Sequence, residues 1–403
     1  MTQLPDQLET LGIVAGAGEY PRMVIEAAKR AGVRVVCAGI RGSVGADIPP
    51  LCDEYACFRA GALEATHAFL AKHGVRHLMM TGQIRPSTLY TMWPDSLAIK
   101  LLAQLDRRNA HSIFGILCEQ LELRGIAVLP ATTFMEDYMP GPGHLAGPEP
   151  TAAQLEEADR GLELAREIAR LDIGQSLIVH GDRILCVEAF KGTNECLHAG
   201  GHRSHPVTLC KVTKPGHDMR FDVPCIGLGT IRNAVRAGVN HIVLEAHRTI
   251  IFQRKEVLAL CNCHGITLHA RPVPPGGVHL EDPGHVHSDA EHACFIAGAI
   301  EQLGFGHSAV VCDGVVIAVE DTDGPLKCIN RARAYMNRLR LTRLFNWLCG
   351  LLLRRHGTPP APMVFGHTDS LPLTPELRKA LKRSGIREAS HDPVSPRPGS
   401  GQH

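Results

Sequence analysis

At a constant spacing of 132 residues the chain resembles itself, and this constrains its fold more than any other feature. LELAREIARLDIGQSLIVHGDRILCVEAF, from Leu162, aligns without a gap with CFIAGAIEQLGFGHSAVVCDGVVIAVEDT, from Cys294. Ala165 matches Ala297, Gly174 matches Gly306, Ser176 matches Ser308, and Glu188 matches Glu320. The register continues from Gly192 and Cys196 to Gly324 and Cys328. Each copy reads as an amphipathic helix followed by a hairpin. In the first, Ser176–Val179 and Ile184–Ala189 flank the turn His180-Gly181-Asp182-Arg183. Fixed self-similarity of this kind points to a duplicated unit. The alternative is a chance likeness between two helix–hairpin segments.

Upstream, the apolar run Leu11–Ala15 meets the turn Gly16-Ala17-Gly18, and Pro21 suits a first helical turn. Met23, Val24, Ala27 and Ala28 recur at helical spacing, Gly32 closes the helix, and Val33–Ala38 reads as a second strand. This is the size of a parallel β-α-β crossover. The chain is therefore α/β, with residues 1–138 as an N-terminal domain and the Pro/Gly-rich stretch 139–150 as a linker. Residues 151–275 form a second domain and 285–330 a partial repeat of it. Residues 331–357 form a basic amphipathic segment, and 358–403 read as a flexible tail.

Composition narrows the function classes. With 42 Lys+Arg against 41 Asp+Glu the net charge is +1, and aromatics are 4%. Neither a phosphate-backbone footprint nor a base-stacking platform is present, so nucleic acid is excluded as a partner. No apolar run reaches the length of a membrane span, and MTQLPDQLET lacks a signal-peptide pattern. Fourteen cysteines in such a chain read as reduced thiols of a cytoplasmic protein.

The densest chemistry lies in KVTKPGHDMRFDVPCIG, Lys211–Gly227. Asp218, Arg220 and Asp222 alternate, so an extended chain points them to one side. Two carboxylates can hold a divalent ion, and Lys211, Lys214 and Arg220 can neutralise a phosphate. Hydrolysis of a phosphoryl or pyrophosphate bond needs that combination. A solvated loop with ordinary ion pairs is the competing reading. Gly16 and Gly18 offer close backbone approach to a phosphate, or simply a tight turn. Thr81-Gly82-Gln83-Ile84-Arg85-Pro86 ends a strand, where Arg85 can meet an anion. Cys261-Asn262-Cys263-His264 matches no standard zinc spacing and reads better as a helix end.

LGIVAGAGEYP, TGQIRPSTLY, LDIGQSLIVHGDRILCVEAFKGTNECL, KVTKPGHDMRFDVPCIGLGT and VLEAHRTIIF, in that order from Leu11 to Ala270, resemble the LpxI family of UDP-2,3-diacylglucosamine pyrophosphatases. The resemblance implies a Rossmann-like N-terminal domain, a distinct α/β second domain, and an acylated sugar nucleotide bound between them. It implies hydrolysis dependent on Mg²⁺ or another divalent cation, releasing UMP and 2,3-diacylglucosamine 1-phosphate. Asp222 and then Asp218 become the catalytic and metal-binding candidates. Gly16, Gly18, Arg85, Gln175, Thr193, Asn194, Lys214 and Arg220 become the substrate-binding ones. The family's EGTD reads Lys191-Gly192-Thr193-Asn194 here, Gln83 replaces a lysine, His217 a glutamine, and Asn109-Ala110 an acidic pair. A second reading is accordingly a relative that binds such a ligand without turnover. The basic segment can lie on an anionic membrane surface as a peripheral partner or pack on the second domain with its arginine face in solvent, and a homodimer is compatible with the pattern.

Overall fold

The computed structural model describes residues 8–83, 94–104, 110–189, 192–201, 205–214, 220, 223–272, 288–334 and 363–389. The chain divides into two compact units, Met1–Asp282 with Met336–Pro360, and Pro283–Tyr335 with Ala361–His403. Both are mixed α/β with helices packed on parallel or mixed sheets.

The first unit opens with β1 (Thr10–Ala15), α1 (Tyr20–Arg30), β2 (Arg34–Ile40), β3 (Glu54–Phe58), α2 (Leu63–Lys72) and β4 (His77–Thr81). Then come α3 (Ser96–Gln104), α4 (Ala110–Leu123) and β5 (Ala127–Val128). The five strands form one parallel sheet in the order β3-β2-β1-β4-β5. Leu11, Ile13, Val35 and Cys37 are fully buried, as strands covered on both faces must be. Strand order reverses between β1 and β4, and Gly16–Gly18 and Gln83 leave the sheet at that switch point.

The second sheet of this unit runs β6-β13-β11-β9-β7-β8. Its parts are β6 (Gly143–Ala146), α5 (Ala152–Arg170), β7 (Ser176–His180), β8 (Arg183–Val187), α6 (Thr193–Gly200) and β9 (Thr208–Lys211). After β9 come the short pair β10 (Cys225–Ile226) and β12 (Ile250–Ile251), α7 (Leu228–Ala237), β11 (His241–Glu245), α8 (Arg254–His264) and β13 (Thr267–Arg271). Thr151 caps α5, its side chain accepting from the backbone N–H of Gln154 while Gln154 reaches back, a reciprocal cap that fixes the helix start.

The stretch 139–150 is no linker. Its centre, β6, pairs antiparallel with β13 as the edge of the second sheet. Glycine and proline suit an edge strand, whose outer N–H groups need no partner. Cys261 is buried within α8, and Asn262 Oδ1 accepts from Gly147 N–H at 2.6 Å, which makes the Cys-Asn-Cys-His run a helix end. No disulfide joins the described cysteines.

The second unit contains α9 (Asp289–Gln302), β14 (Ser308–Cys312), β15 (Val315–Val319), helical residues 325–334, β16 (Val364–His367), α10 (Pro375–Ser384) and β17 (Arg387–Glu388), with the sheet order β15-β14-β16-β17. The stretch read as a flexible tail thus supplies two strands and a helix. Thr374 caps α10, Pro375 starts it, Leu377 and Leu381 are buried, and Gly385 closes it in the left-handed region. Average composition hid that local pattern. The basic segment lies almost wholly outside the described residues.

The two hairpins pair in the same register. Leu177 opposes Val187, Ile178 opposes Cys186, Val179 opposes Ile184, and His180 opposes Arg183. Ala309 opposes Val319, Val310 opposes Ala318, Val311 opposes Val316, and Cys312 opposes Val315. The bulge falls between Ile178 and Val179 in one and between Val310 and Val311 in the other. Gly192 and Gly324, at φ 80° and 81°, each precede a helix.

Candidate functional site

At the carboxyl end of β9, Lys211 lies opposite Ser176 of β7 and is 5% exposed. Its Nζ donates to Ser176 Oγ at 3.1 Å and to Thr193 Oγ1 at 2.9 Å, and lies 3.9 Å from Glu188 Oε2. Thr193 Oγ1 in turn donates to Glu188 Oε2 at 3.1 Å. An ammonium so buried is tolerable because three oxygens surround it, one of them anionic. Gly192 makes this possible: its positive φ turns the chain so that α6 begins at Thr193, directly over the lysine. Two hydroxyls, an ammonium and the start of a helix therefore converge where two strands end, an arrangement that favours an oxyanion.

The neighbouring segment is tied down separately. Val212 N–H donates to the Gln175 carbonyl at 2.9 Å, and Thr213 N–H to Glu245 Oε2 at 2.9 Å. Lys214 Nζ donates to Asp172 Oδ1 at 2.7 Å, and Asp172 sits at φ 58° in the turn after α5. Asn194 Oδ1 accepts from Asn233 Nδ2 of α7 at 2.9 Å. Arg220 Nη1 pairs with Glu122 Oε1 of α4 at 2.5 Å, linking this region to the helices of the first sheet.

The glycine turn belongs to the first sheet. Gly16 N–H donates to the Thr81 carbonyl at 2.8 Å, and Ala17 and Gln83 exchange backbone bonds at 2.6 and 2.9 Å. A Cβ on Gly16 would stand 2.6 Å from the Gln83 carbonyl oxygen, so only glycine lets these strand ends close up. Gly18, at φ 96°, faces open space. Glu19 Oε1 then accepts from Gln253 Nε2 at 2.8 Å, and Tyr20 packs on Phe252 with centroids 5.7 Å apart. Tyr20 OH donates to the Ala131 carbonyl, and burial raises its pKa.

Of the residues expected from sequence, the structure brings Thr193 and Gln175 to Lys211 and places Lys214 and Arg220 on the segment that follows. Asp218, Asp222 and Arg85 lie outside the described residues, as do Lys191, His217 and Asn109. Ser176, Glu188, Arg166 and Glu245 were not anticipated as site residues. A signal for the first two did exist: Ser176 and Glu188 are among the positions identical in both copies. Among the described residues no cluster of three His, Cys, Asp or Glu side chains is arranged to hold a metal ion. The described carboxylates of the site face cations instead, Glu188 to Lys211, Asp172 to Lys214 and Glu245 to Arg166. Those carboxylates do not fit a divalent ion.

Residues 10–138 match the LpxI N-terminal domain, and residues 141–269 and 276–345 match the LpxI C-terminal domain. The UDP-2,3-diacylglucosamine pyrophosphatase LpxI of Caulobacter vibrioides is 28% identical over 273 residues, covering 64% of this chain and 96% of that protein. Among solved structures, the biotin carboxylase domain of a thermophilic 2-oxoglutarate carboxylase is 14% identical, with a TM-score of 0.22, over 43% of this chain and 30% of that one. The ADP complex of purK, an N5-carboxyaminoimidazole ribonucleotide synthetase, is 15% identical, with a TM-score of 0.21, over 48% of this chain and 41% of that one. The chain spans less than half the length of either structure, and likenesses this slight carry no argument.

Proposed function

Because the chain belongs to the LpxI family, we propose that it hydrolyses the pyrophosphate bond of UDP-2,3-diacylglucosamine in lipid A synthesis. Water attacks one phosphorus of the pyrophosphate, a P–O bond forms to it, and the bond from that phosphorus to the bridging oxygen breaks. The products are UMP and 2,3-diacylglucosamine 1-phosphate. The observation that carries the reading is the Lys211 ammonium, held under the start of α6 by Ser176, Thr193 and Glu188. It offsets the charge that gathers on the phosphoryl oxygens as the bridge breaks.

Lys214 and Arg220 exchange their present carboxylates for phosphate oxygens in this scheme, and Asn194 binds the sugar. Gly16 and Gly18 admit the uridine nucleotide against the backbone. Asp222, assisted by Asp218, takes the proton of the attacking water. No step is routed through a metal ion.

The parallel first sheet, with its reversal at β1/β4, supports a Rossmann-like nucleotide-binding domain. The shared hairpin register supports a second unit copied from the framework of the second sheet. A diacylated substrate resides in membrane, and the arginine-rich run from Lys327 to Arg355 supports contact with an anionic surface on the cytoplasmic side. No described helix is long and apolar enough to cross a membrane.

Purified protein incubated with UDP-2,3-diacylglucosamine should release UMP. Asp222→Asn should lower the rate about 10³-fold while leaving substrate binding within about threefold. Binding without any UMP, with and without added Mg²⁺, would sink the hydrolase reading.

A further inference from the structure

Parallel strands β9 and β11 end their ladder at the pair Leu244–Lys211. Beyond it the strands part. Val212 turns its N–H to the Gln175 carbonyl, on the β7 side. Thr213 N–H has no ladder carbonyl to meet, and the side chain of Glu245 takes that role at 2.9 Å. Thr213 Oγ1 also reaches the Arg248 carbonyl at 3.4 Å. Glu245 is fully buried. Its other oxygen, Oε1, lies 3.0 Å from Arg166 Nε of α5. Burying a carboxylate costs several kcal/mol unless charge and hydrogen bonds answer it, and the answer here comes from one guanidinium and one backbone amide. The amide chosen lies between the two lysines, Lys211 two residues before it and Lys214 one residue after.

We propose that Glu245, held by Arg166, is a positioning residue: it fixes the backbone at Thr213 and so aims Lys211 and Lys214 together at a diphosphate. The proposal rests on the pyrophosphatase reading for its ligand but not for its test. Glu245 touches no phosphate itself. It stands between the parting strand ends, with Lys211 buried on one side of Thr213 and Lys214 paired to Asp172 on the other. A bidentate clamp on a diphosphate needs both ammonium groups at fixed separation, because a misplaced cation loses most of its contribution. A carboxylate one methylene shorter is drawn back from both contacts and no longer holds the Thr213 amide.

The test measures binding of inorganic pyrophosphate by calorimetry on the full chain, beside thermal unfolding. Glu245→Asp should weaken pyrophosphate about tenfold. In a Lys214→Met background the same substitution should weaken it less than about twofold, since with one of the two cations gone there is no two-point clamp left to align. A merely structural role would lower the melting temperature and leave affinity per folded molecule unmoved, and that result overturns the proposal. Equal losses in both backgrounds also overturn it, as does a wild-type chain blind to millimolar pyrophosphate. Should Glu245→Asp fail to fold, Arg166→Lys loosens the same carboxylate and is read against the same two outcomes. A wild-type protein that binds pyrophosphate in this Glu245-dependent way yet never releases UMP sinks the hydrolase reading and leaves this one standing.

Discussion

The hairpin of the first unit and that of the second share register, bulge and hinge glycine, yet they end in different chemistry. In the first, Ser176 and Glu188 are held around Lys211. In the second, Ser308 donates straight to Glu320 at 2.7 Å, and the residue opposite Ser308 is His367. Thr193, over the lysine, has Pro325 as its counterpart. The chain between β9 and α7 spans 212–227 and carries Lys214, Asp218, Arg220 and Asp222, whereas the chain between β16 and α10 spans only 368–374. The two strand frameworks thus agree in register, while the second has no counterpart of the buried lysine and a shorter connection after the matching strand. Burial explains the persistence: Ala309, Val310 and Val311 are fully buried, like Leu177 and Ile178, and core packing does not depend on what leaves the strand ends.

If that contrast is right, the largest effect should come from changing the residues opposite the two serines. Lys211→Met should lower UMP release about 10³-fold. It also leaves Glu188 without its cation, so folding should be checked by circular dichroism. His367→Ala, at the matching place in the second unit, should leave kcat/KM within about twofold. Equal losses from both would show that the second unit takes part in turnover and would break the comparison.

The sequence is legible where local pattern and global position agree. Segments 152–187 and 289–319 show helical spacing, then strands around Gly181 or Gly314, at a fixed offset, and both fold as helix–hairpins. The turn at Gly16–Gly18 is legible because positive φ and close approach leave few alternatives to glycine. β6 is not, since an edge strand borrows its partner, β13, from more than a hundred residues away. The strands β16 and β17 are hidden for the same reason, each being paired to residues distant in sequence. In the site, Thr193 and Lys214 stand out through motif, whereas Glu245 lies inside VLEAHRTIIF with nothing there to mark its role, and Arg166 lies in no motif. A carboxylate replacing a ladder carbonyl depends on where two strands part, which no one-dimensional pattern records.

Acid should separate the two units next. His241, on β11, is fully buried, and burial together with the nearby His269 lowers its pKa to about 4. Its Nδ1 lies 3.3 Å from Thr208 Oγ1, which also bonds Glu157. His269 is lowered by burial and then by Arg271 and His144. The unfolded imidazole titrates near 6.5, so the folded state holds it neutral and unfolding lets it charge. The stabilisation is therefore complete above about pH 6.5 and disappears as pH falls toward 4, amounting to about 3 kcal/mol. The equivalent strand position of the second unit is Arg387, which is exposed. Amide exchange at pH 7 and pH 4.5 should show protection in β11 and β13 falling while β14 and β16 change less, and His241→Gln should reduce the difference. The second unit buries His292 on helix α9 instead of on a strand, so parallel losses in both units would remove the buried strand histidine as a distinction between them.

The smallest effect tests how closely the frameworks correspond. On α5, Gly161 faces Cys210 of β9, and a Cβ there would lie 2.4 Å from the Cys210 sulfur. In the second unit, offset and register put Ala293 on α9 and Gly366 on β16 at the matching places, and a Cβ on Gly366 would lie 2.2 Å from the Ala293 backbone. Helix and strand approach closely in both, and the glycine has moved from helix to strand. Gly161→Ala alone should destabilise the first unit by about 2 kcal/mol through overpacking, less the small gain of alanine over glycine in a helix. Adding Cys210→Gly recreates the second unit's arrangement and removes the clash, though glycine in a strand costs about 0.5–1 kcal/mol. The double variant should therefore be more stable than Gly161→Ala by about 1 kcal/mol, and urea unfolding can resolve a coupling of that size. Additive losses would mean that the helix slides to accommodate the methyl, and that the exchanged glycines mark two independent solutions to packing rather than one contact inherited twice.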